Sequence, residues 1–345
     1  MRTLSALPWT FGPCILAALV AGGCSGGGGG TIHGSATGPG GGGAGDSGSS
    51  TDDASVGGGL DGAAPVVGDS SSSSSDATNT IPAESGAADD AGTAIPGWTL
   101  TWSDEFNGPD GSAVDPTKWK HDVGGTGWGN DELEYYTNAT QNAVVEGGNL
   151  VITATNQGAS QYTCSYGTCQ YTSARLLTQG LFAQQYGRFE ARAQMPTGKG
   201  LWPAIWMLGD NIDTVNWPAC GEIDFMETIG TDITTNHGSL HMPASYGPTG
   251  TYTLPGGASF ADAFHTFAVE WEPGTVAFYV DDQLYETQTS AVPAGDTWEF
   301  DHPFFLLINV AVGGQWPGSP DSTTTFPQTL KVDWVRVYQK DGTEP

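Results

Sequence analysis

Residues 221–230 read GEIDFMETIG, and the spacing of the carboxylates in this stretch decides how the chain is read. Glu222, Asp224 and Glu227 fall within six residues, with only Ile223, Phe225 and Met226 between them. Such an apolar, partly β-branched and aromatic set favours an extended strand, on which successive side chains point to opposite faces. Glu222 and Asp224 therefore share a face. Strict alternation would turn Glu227 away from them, but one extra residue at Phe225–Met226, a β-bulge, restores its parity. The expected element is a bulged strand with all three acids on one side.

That geometry suits glycoside hydrolysis. With the bulge, Glu222 and Glu227 stand roughly 13 Å apart at Cα, from about 3.3 Å per ladder position. Side chains leaning inward by roughly 4 Å each leave about 5 Å between the carboxyl groups, the separation of a retaining glycosidase rather than an inverting one. One carboxylate attacks the anomeric carbon while the other protonates the departing oxygen. Asp224, between them, can hydrogen-bond a neighbour and keep the three like charges from ionising together. A merely solvated acidic face would explain two of the acids. It would not explain why no Lys or Arg lies between Lys199 and Lys331, nor the tryptophans of GLWPAIWML just upstream.

The flanking sequence is strand-like almost throughout. Phe189, Ala191, Ala193 and Met195 alternate with Arg188, Glu190, Arg192 and Gln194, and Phe267, Val269 and Trp271 alternate with Thr266, Ala268 and Glu270. Glu272-Pro273-Gly274-Thr275 marks a hairpin leading into Val276–Val280. Many short strands, frequent glycines and no long amphipathic helix predict an all-β antiparallel sandwich. Trp202 and Trp206 lie four apart, share a strand face, and offer indole surfaces on which sugar C–H faces pack.

Seven segments occur in a fixed order between about Gly97 and Lys340: WSDEFNG, GWGNDELEYYT, GRFEARAQMPTGKGLWPAIWML, WPACGEIDFMET, HTFAVEW, INVAVGGQWPG and VDWVRVYQ. Together they resemble glycoside hydrolase family 16, in its bacterial laminarinase branch of endo-1,3-β-glucanases. The resemblance implies a β-jelly-roll sandwich of two antiparallel sheets with a substrate cleft across one concave face. It implies Glu222 as nucleophile, Glu227 as acid and later base, and Asp224 as the residue that orients Glu222. The bulged E-x-D-x-x-E spacing occurs in the laminarinases, so 1,3-β-glucan is the expected substrate, with mixed-linkage 1,3-1,4-β-glucan second.

Trp128 and Trp316 lie in glycine-rich loops, where a large exposed ring needs a partner such as sugar, and Asn130, Glu132, Arg175, His241 and Gln315 fall in the family-matching segments as polar contacts near the cleft. This chain departs from most members in carrying Gln315 where asparagine is usual, Phe225 for isoleucine, and Thr228 where an aromatic often follows the third acid. Chemistry of this class requires no cofactor. A structural Ca²⁺ away from the cleft is also implied, held by backbone carbonyls at Glu105 and Gly148 and by Asp333, an oxygen set that suits calcium.

Composition divides the chain. Residues 1–24 run from a basic start through an uncharged apolar stretch to Cys24, the pattern of a lipoprotein-type signal with lipidation at that cysteine; an ordinary secretory signal is the alternative. Residues 25–96 are rich in Gly, Ser, Asp, Ala and Thr and carry too few large apolar side chains to fold, giving an expected disordered linker before a domain at 97–340. The expected location is the cell envelope or the medium, with membrane contact only through a lipid on Cys24. The formal charge of −28 excludes nucleic acid as a partner and disfavours sulfated polymers, leaving a neutral β-glucan and a monomeric enzyme.

Cys164 and Cys169 are spaced for a small-loop disulfide, which leaves Cys220 unpaired. His237 and His241 have no evident third ligand for zinc. Two other functions fit the same residues: a glucan-binding module without catalysis, and a transglycosylase that passes the intermediate to a sugar.

Overall fold

A computed structural model describes residues 94–243, 249–292 and 295–343. The expected signal, the lipidation site Cys24 and nearly all of the expected linker lie outside the described residues.

The strands in chain order are β1 (Trp98–Asp104), β2 (Lys120–Asp122), β3 (Glu134–Tyr136), β4 (Ala143–Glu146), β5 (Asn149–Ala154), β6 (Thr163–Cys164), β7 (Gly167–Thr168), β8 (Tyr171–Ser173) and β9 (Arg175–Leu177). They continue as β10 (Gly187–Gln194), β11 (Leu201–Gly209), β12 (Glu222–Glu227), β13 (Thr235–His241), β14 (Thr249–Thr253), β15 (His265–Glu272), β16 (Thr275–Val280), β17 (Gln283–Thr289), β18 (Phe304–Val312) and β19 (Gln328–Lys340). Among the described residues the one α-helix, α1, is the single turn Ile212–Val215.

Two antiparallel sheets form the sandwich. One runs β17-β16-β15-β10-β19-β5-β4, with β1 also paired to β19; the other runs β14-β13-β12-β11-β18-β9-β2. Connections repeatedly cross between the sheets, so neighbours such as β11 and β18 are distant in sequence. One short pair, β3 with β8, is parallel. The hairpin at Pro273-Gly274 forms as expected, with Glu272 opposite Thr275.

Alternation sorts the side chains. Phe189, Ala191 and Ala193 of β10 face Ile205 and Met207 of β11, Ile223 of β12 and Ile308 of β18 across one fully buried core. On β10 the opposite face carries Arg188 and Glu190, which neutralise each other at 2.8 Å, and Arg188 also meets Glu270 at 2.9 Å. That ladder belongs to the first sheet; the acids of β12 belong to the second.

Candidate active site

β12 contains the bulge. Asp224 is registered opposite Trp206 and Met226 opposite Ile205, so Phe225 is the extra residue and Glu227 falls opposite Ala204. Ile223, Phe225 and Met226 are all fully buried in the core. Two consecutive apolar side chains thus point inward, and Glu222, Asp224 and Glu227 emerge on the other face, as the spacing required.

The clamp that holds this bulge was not visible in the sequence. The β12–β13 ladder stops at Asp224–Ser239. Beyond it the Asn236 carboxamide takes over: its oxygen accepts the Glu227 backbone N–H at 3.0 Å, and its nitrogen donates to the Phe225 carbonyl at 3.2 Å. Asn236 is fully buried. A primary amide offers the donor and the acceptor that a missing backbone partner would have supplied.

Each glutamate has its own tryptophan. Trp217 Nε1 donates to Glu222 Oε2 at 2.6 Å, and Trp202 Nε1 donates to Glu227 Oε1 at 2.8 Å. His241 Nε2 lies 2.9 Å from Asp224 Oδ2 and 3.7 Å from Glu222 Oε1. Burial alone would strip a proton from this imidazole, but the adjoining Glu222 and Asp224 carboxylates raise its pKa to about 10. It is therefore a cation at neutral pH. Together the three residues bring one ligand atom each to within 4.8 Å of one another, and the imidazolium supplies the positive charge in that cluster.

Burial, then the charge of Asp224, pushes both glutamates upward from the ordinary carboxyl range. His241 and a tryptophan N–H draw each of them part of the way back, Trp217 for Glu222 and Trp202 for Glu227, yet Glu222 stays raised to about 8 and Glu227 well above its usual value. Both groups thus hold a proton more readily than a free carboxyl group does, as the acid of such a pair must.

The remaining expected residues divide into two sides. Trp316 meets Trp202 edge-on at 5.5 Å and His237 at 4.9 Å, so one aromatic corner stands beside Glu227. His237 is therefore a wall residue and does not converge with His241 on a metal. On the other side the Arg175 guanidinium stacks between Trp128 and Trp206, 5.0 and 4.8 Å from their ring centres, with its Nε 3.1 Å from Asp122. Ala204 sits between Trp202 and Trp206 on the same face of β11, so the floor dips between two indoles. Gln315 donates to Asp131 at 3.0 Å, and its backbone N–H bonds the Asn130 carbonyl at 2.9 Å, joining two loops at the rim.

Glu132 requires a correction. Expected to contact sugar, it is only 5 % exposed, and both of its oxygens are filled, by Asn130 at 3.2 Å and by the Tyr136 hydroxyl at 3.0 Å. Its backbone bridges to Gly313, which draws the side chain behind the wall. Sequence could show its neighbourhood but not its depth.

Cys164 and Cys169 are joined at 2.05 Å across the β6–β7 hairpin, and Cys220 is free and buried. A Cβ on Gly125 would come within 2.6 Å of Cys164 Sγ, so this hairpin packs directly on the loop that carries Trp128.

Away from the cleft, β1 and β5 both pair with β19 on the side opposite β10, Asp104 facing Val335 and Leu150 facing Val332. Glu105, Gly148 and the bulged Asp333 therefore meet at one junction. The Glu105 carboxylate is engaged by Arg336 at 2.8 and 3.0 Å, leaving its backbone carbonyl as the donor it can offer, and Asp333 is paired with Arg192. Glu105 and Gly148 lie outside the strands, so their carbonyls are not committed to the ladder. This oxygen set fits a calcium ion.

The sequence profile for "Glycosyl hydrolases family 16" matches residues 130–336. The chain is 44% identical over 264 residues to a "Beta-glucanase" of Rhodothermus marinus, covering 72% of this chain and 88% of that one. It is 37% identical to "Glucan endo-1,3-beta-glucosidase A1" of Niallia circulans over 72% of this chain, but spans only 39% of that protein. The fold matches the catalytic domain of an endo-1,3-beta-glucanase (laminarinase) from Thermotoga petrophila with a TM-score of 0.66 and 47% identity, covering 71% of this chain and 99% of that structure. An endo-beta-1,3-glucanase from Pyrococcus furiosus gives 0.66 and 45%, over 70% and 94% of the two chains. The bulged acidic strand and this likeness in sequence and fold agree: the chain belongs to glycosyl hydrolase family 16.

Proposed function

We propose that the protein is a retaining endo-β-glucanase that hydrolyses 1,3-β-glucan of the laminarin type, with mixed-linkage 1,3-1,4-β-glucan as a secondary substrate. The observation that carries this reading is the bulge at Phe225, which sets Glu222, Asp224 and Glu227 on one face, opposite Leu208, Trp206 and Ala204 of β11. In the first step the Glu222 carboxylate attacks the anomeric carbon while Glu227 gives its proton to the glycosidic oxygen, and that bond breaks. In the second, Glu227 takes a proton from water, which attacks the same carbon and frees Glu222. Asp224 pairs with His241 at 2.9 Å and keeps the imidazolium beside Glu222, whose charge it offsets.

A binding module without catalysis would need the indoles but has no use for three acids gathered on one strand face. A transglycosylase would use the same first step. The deciding experiment incubates purified protein with laminarin, mixed-linkage glucan and galactans and resolves the products by size. Shortening of laminarin into oligosaccharides supports the reading; binding without new reducing ends, or chain lengthening at high acceptor concentration, overturns it.

Three further features belong to this proposal. The junction of Glu105, Gly148 and Asp333 holds a structural Ca²⁺ that takes no part in the reaction. Residues 1–24 direct export and Cys24 carries a lipid, which places the enzyme at the cell envelope, with 25–96 as a tether. The enzyme acts as a monomer on a neutral polymer, in keeping with the −28 formal charge.

A further inference from the structure

A second pair of acids lies behind the cleft, and hydrolysis does not call on either directly. Glu132, Glu134 and Tyr136 alternate and point the same way; Glu134 and Tyr136 are fully buried. Glu132 and Glu134 stand two residues apart on one face with both carboxyl groups buried, and each perturbs the other's titration. Glu134 Oε2 accepts the Val312 N–H at 2.6 Å, whereas its Oε1 is sealed from water and faces no other donor. Glu132 already accepts from Asn130 and from Tyr136. The nearest cation, Arg175, is spent on Asp122 and on the faces of Trp128 and Trp206. Two carboxylates buried side by side cannot both be ionised, so one proton must lie between them, and the oxygen left without a donor is where it sits.

We propose that Glu134 is a neutral carboxyl group that donates its Oε1 proton to the Glu132 carboxylate, and that this pair is the positioning unit for the sugar-binding wall. The pair stands where two loops meet. Glu134 holds the Val312 N–H at the root of the loop that carries Gln315 and Trp316, and Glu132 holds Asn130 in the loop that carries Trp128. From Glu132 a chain of bonds runs inward: Tyr136 O–H to Glu132, Asn309 Nδ2 to Tyr136 at 3.1 Å, and Trp206 Nε1 to Asn309 at 2.8 Å. The indole N–H of Trp206 can only donate, so every donor in that chain points toward Glu132. With Glu134 ionised, the acids would repel and the two loops would part.

The test uses the full chain with Glu134→Gln, Glu134→Leu and Glu132→Gln. A glutamine at 134 keeps both bonds, its amide donating to Glu132 and its carbonyl accepting from Val312. A glutamine at 132 has one acceptor oxygen for three donors. Glu134→Gln should stay within about twofold of wild type on laminarin, while Glu132→Gln raises KM about tenfold with a smaller change in kcat, as expected for one opposed buried donor. Glu134→Leu should resemble Glu132→Gln; if it fails to fold, the two glutamine variants carry the comparison. The wild-type minus Glu134→Gln infrared difference spectrum at neutral pH should contain a protonated-carboxyl band. Absence of that band, or a Glu134→Gln variant as impaired as Glu132→Gln, overturns the proposal. The kinetic arm rests on the glucanase reading; the infrared arm does not, so an inactive wild type would sink that reading and leave this one decided by the band.

Discussion

The Asn236 side chain bonds the backbone on both sides of the extra residue in β12, taking the Glu227 N–H at 3.0 Å and giving an N–H to the Phe225 carbonyl at 3.2 Å. One amide from a neighbouring strand thus fixes the parity on which the three-acid face depends. Replacing it with alanine leaves a buried N–H and a buried carbonyl without partners, at about 1–3 kcal/mol for each unpaired group. Asn236→Ala should lose about 2–4 kcal/mol in denaturant unfolding and most of its activity on laminarin. Unchanged activity would mean that the bulge holds itself.

The paired tryptophans allow the two glutamates to be told apart. An N–H bonded to a carboxylate favours its ionised form, so removing either indole nitrogen raises the pKa of its partner. For Trp217→Phe this moves the acidic limb of the kcat/KM profile to higher pH by about one unit, because Glu222 must be ionised to attack. For Trp202→Phe the basic limb moves up instead, because Glu227 must be protonated to donate. Exchange of the two limbs would exchange the two roles.

The upward shift of Glu227 also has a consequence for stability. Its pKa is raised, chiefly by burial and then by Asp224, so the folded state prefers the proton more than the unfolded chain does. Stability from this group is greatest below the unfolded carboxyl value and is lost as pH rises through the folded one. Glu227→Gln, neutral at every pH, should be about 1 kcal/mol or more stable than wild type at neutral to alkaline pH, with the difference vanishing in acid. Its hydrolysis should fall by several orders of magnitude. A less stable Glu227→Gln at neutral pH would contradict the assigned shift.

Calcium, if it occupies the junction at Asp333, binds the folded state alone and raises Tm by mass action. Chelation should lower Tm by several degrees with little effect on kcat below the transition. The chelator should have no effect on Asp333→Asn, whose carboxylate is gone. Equal sensitivity in both proteins would move the ion elsewhere.

How much of this was legible depends on how local each relationship is. The parity of Glu222, Asp224 and Glu227 is written within six residues, and so is the shared face of Trp202 and Trp206; both are found as read. The sandwich core followed from alternation along β10 and β15. What the sequence withheld were partners across strands. Asn236 reaches Glu227 only because β13 ends its ladder at Ser239. Trp217, in the WPAC segment, is brought onto Glu222 by the turn before β12. Arg175 gave no sign that it would be stacked between two indoles rather than free to meet sugar. Glu132 failed as a surface contact because a strand pairing with Gly313 buries it. Pairing between chain segments decides Asn236, Arg175 and Glu132, and the turn decides Trp217; one sequence specifies neither.

The central claim is that Glu222 and Glu227 act together from one strand face at the spacing of a covalent mechanism. Proton NMR during the first turnovers on a laminarin oligosaccharide reads the anomeric configuration of the new reducing end before mutarotation. The β anomer is the predicted product, through two displacements at the same carbon. Initial release of the α anomer would require a water between the carboxyl groups and would contradict the account.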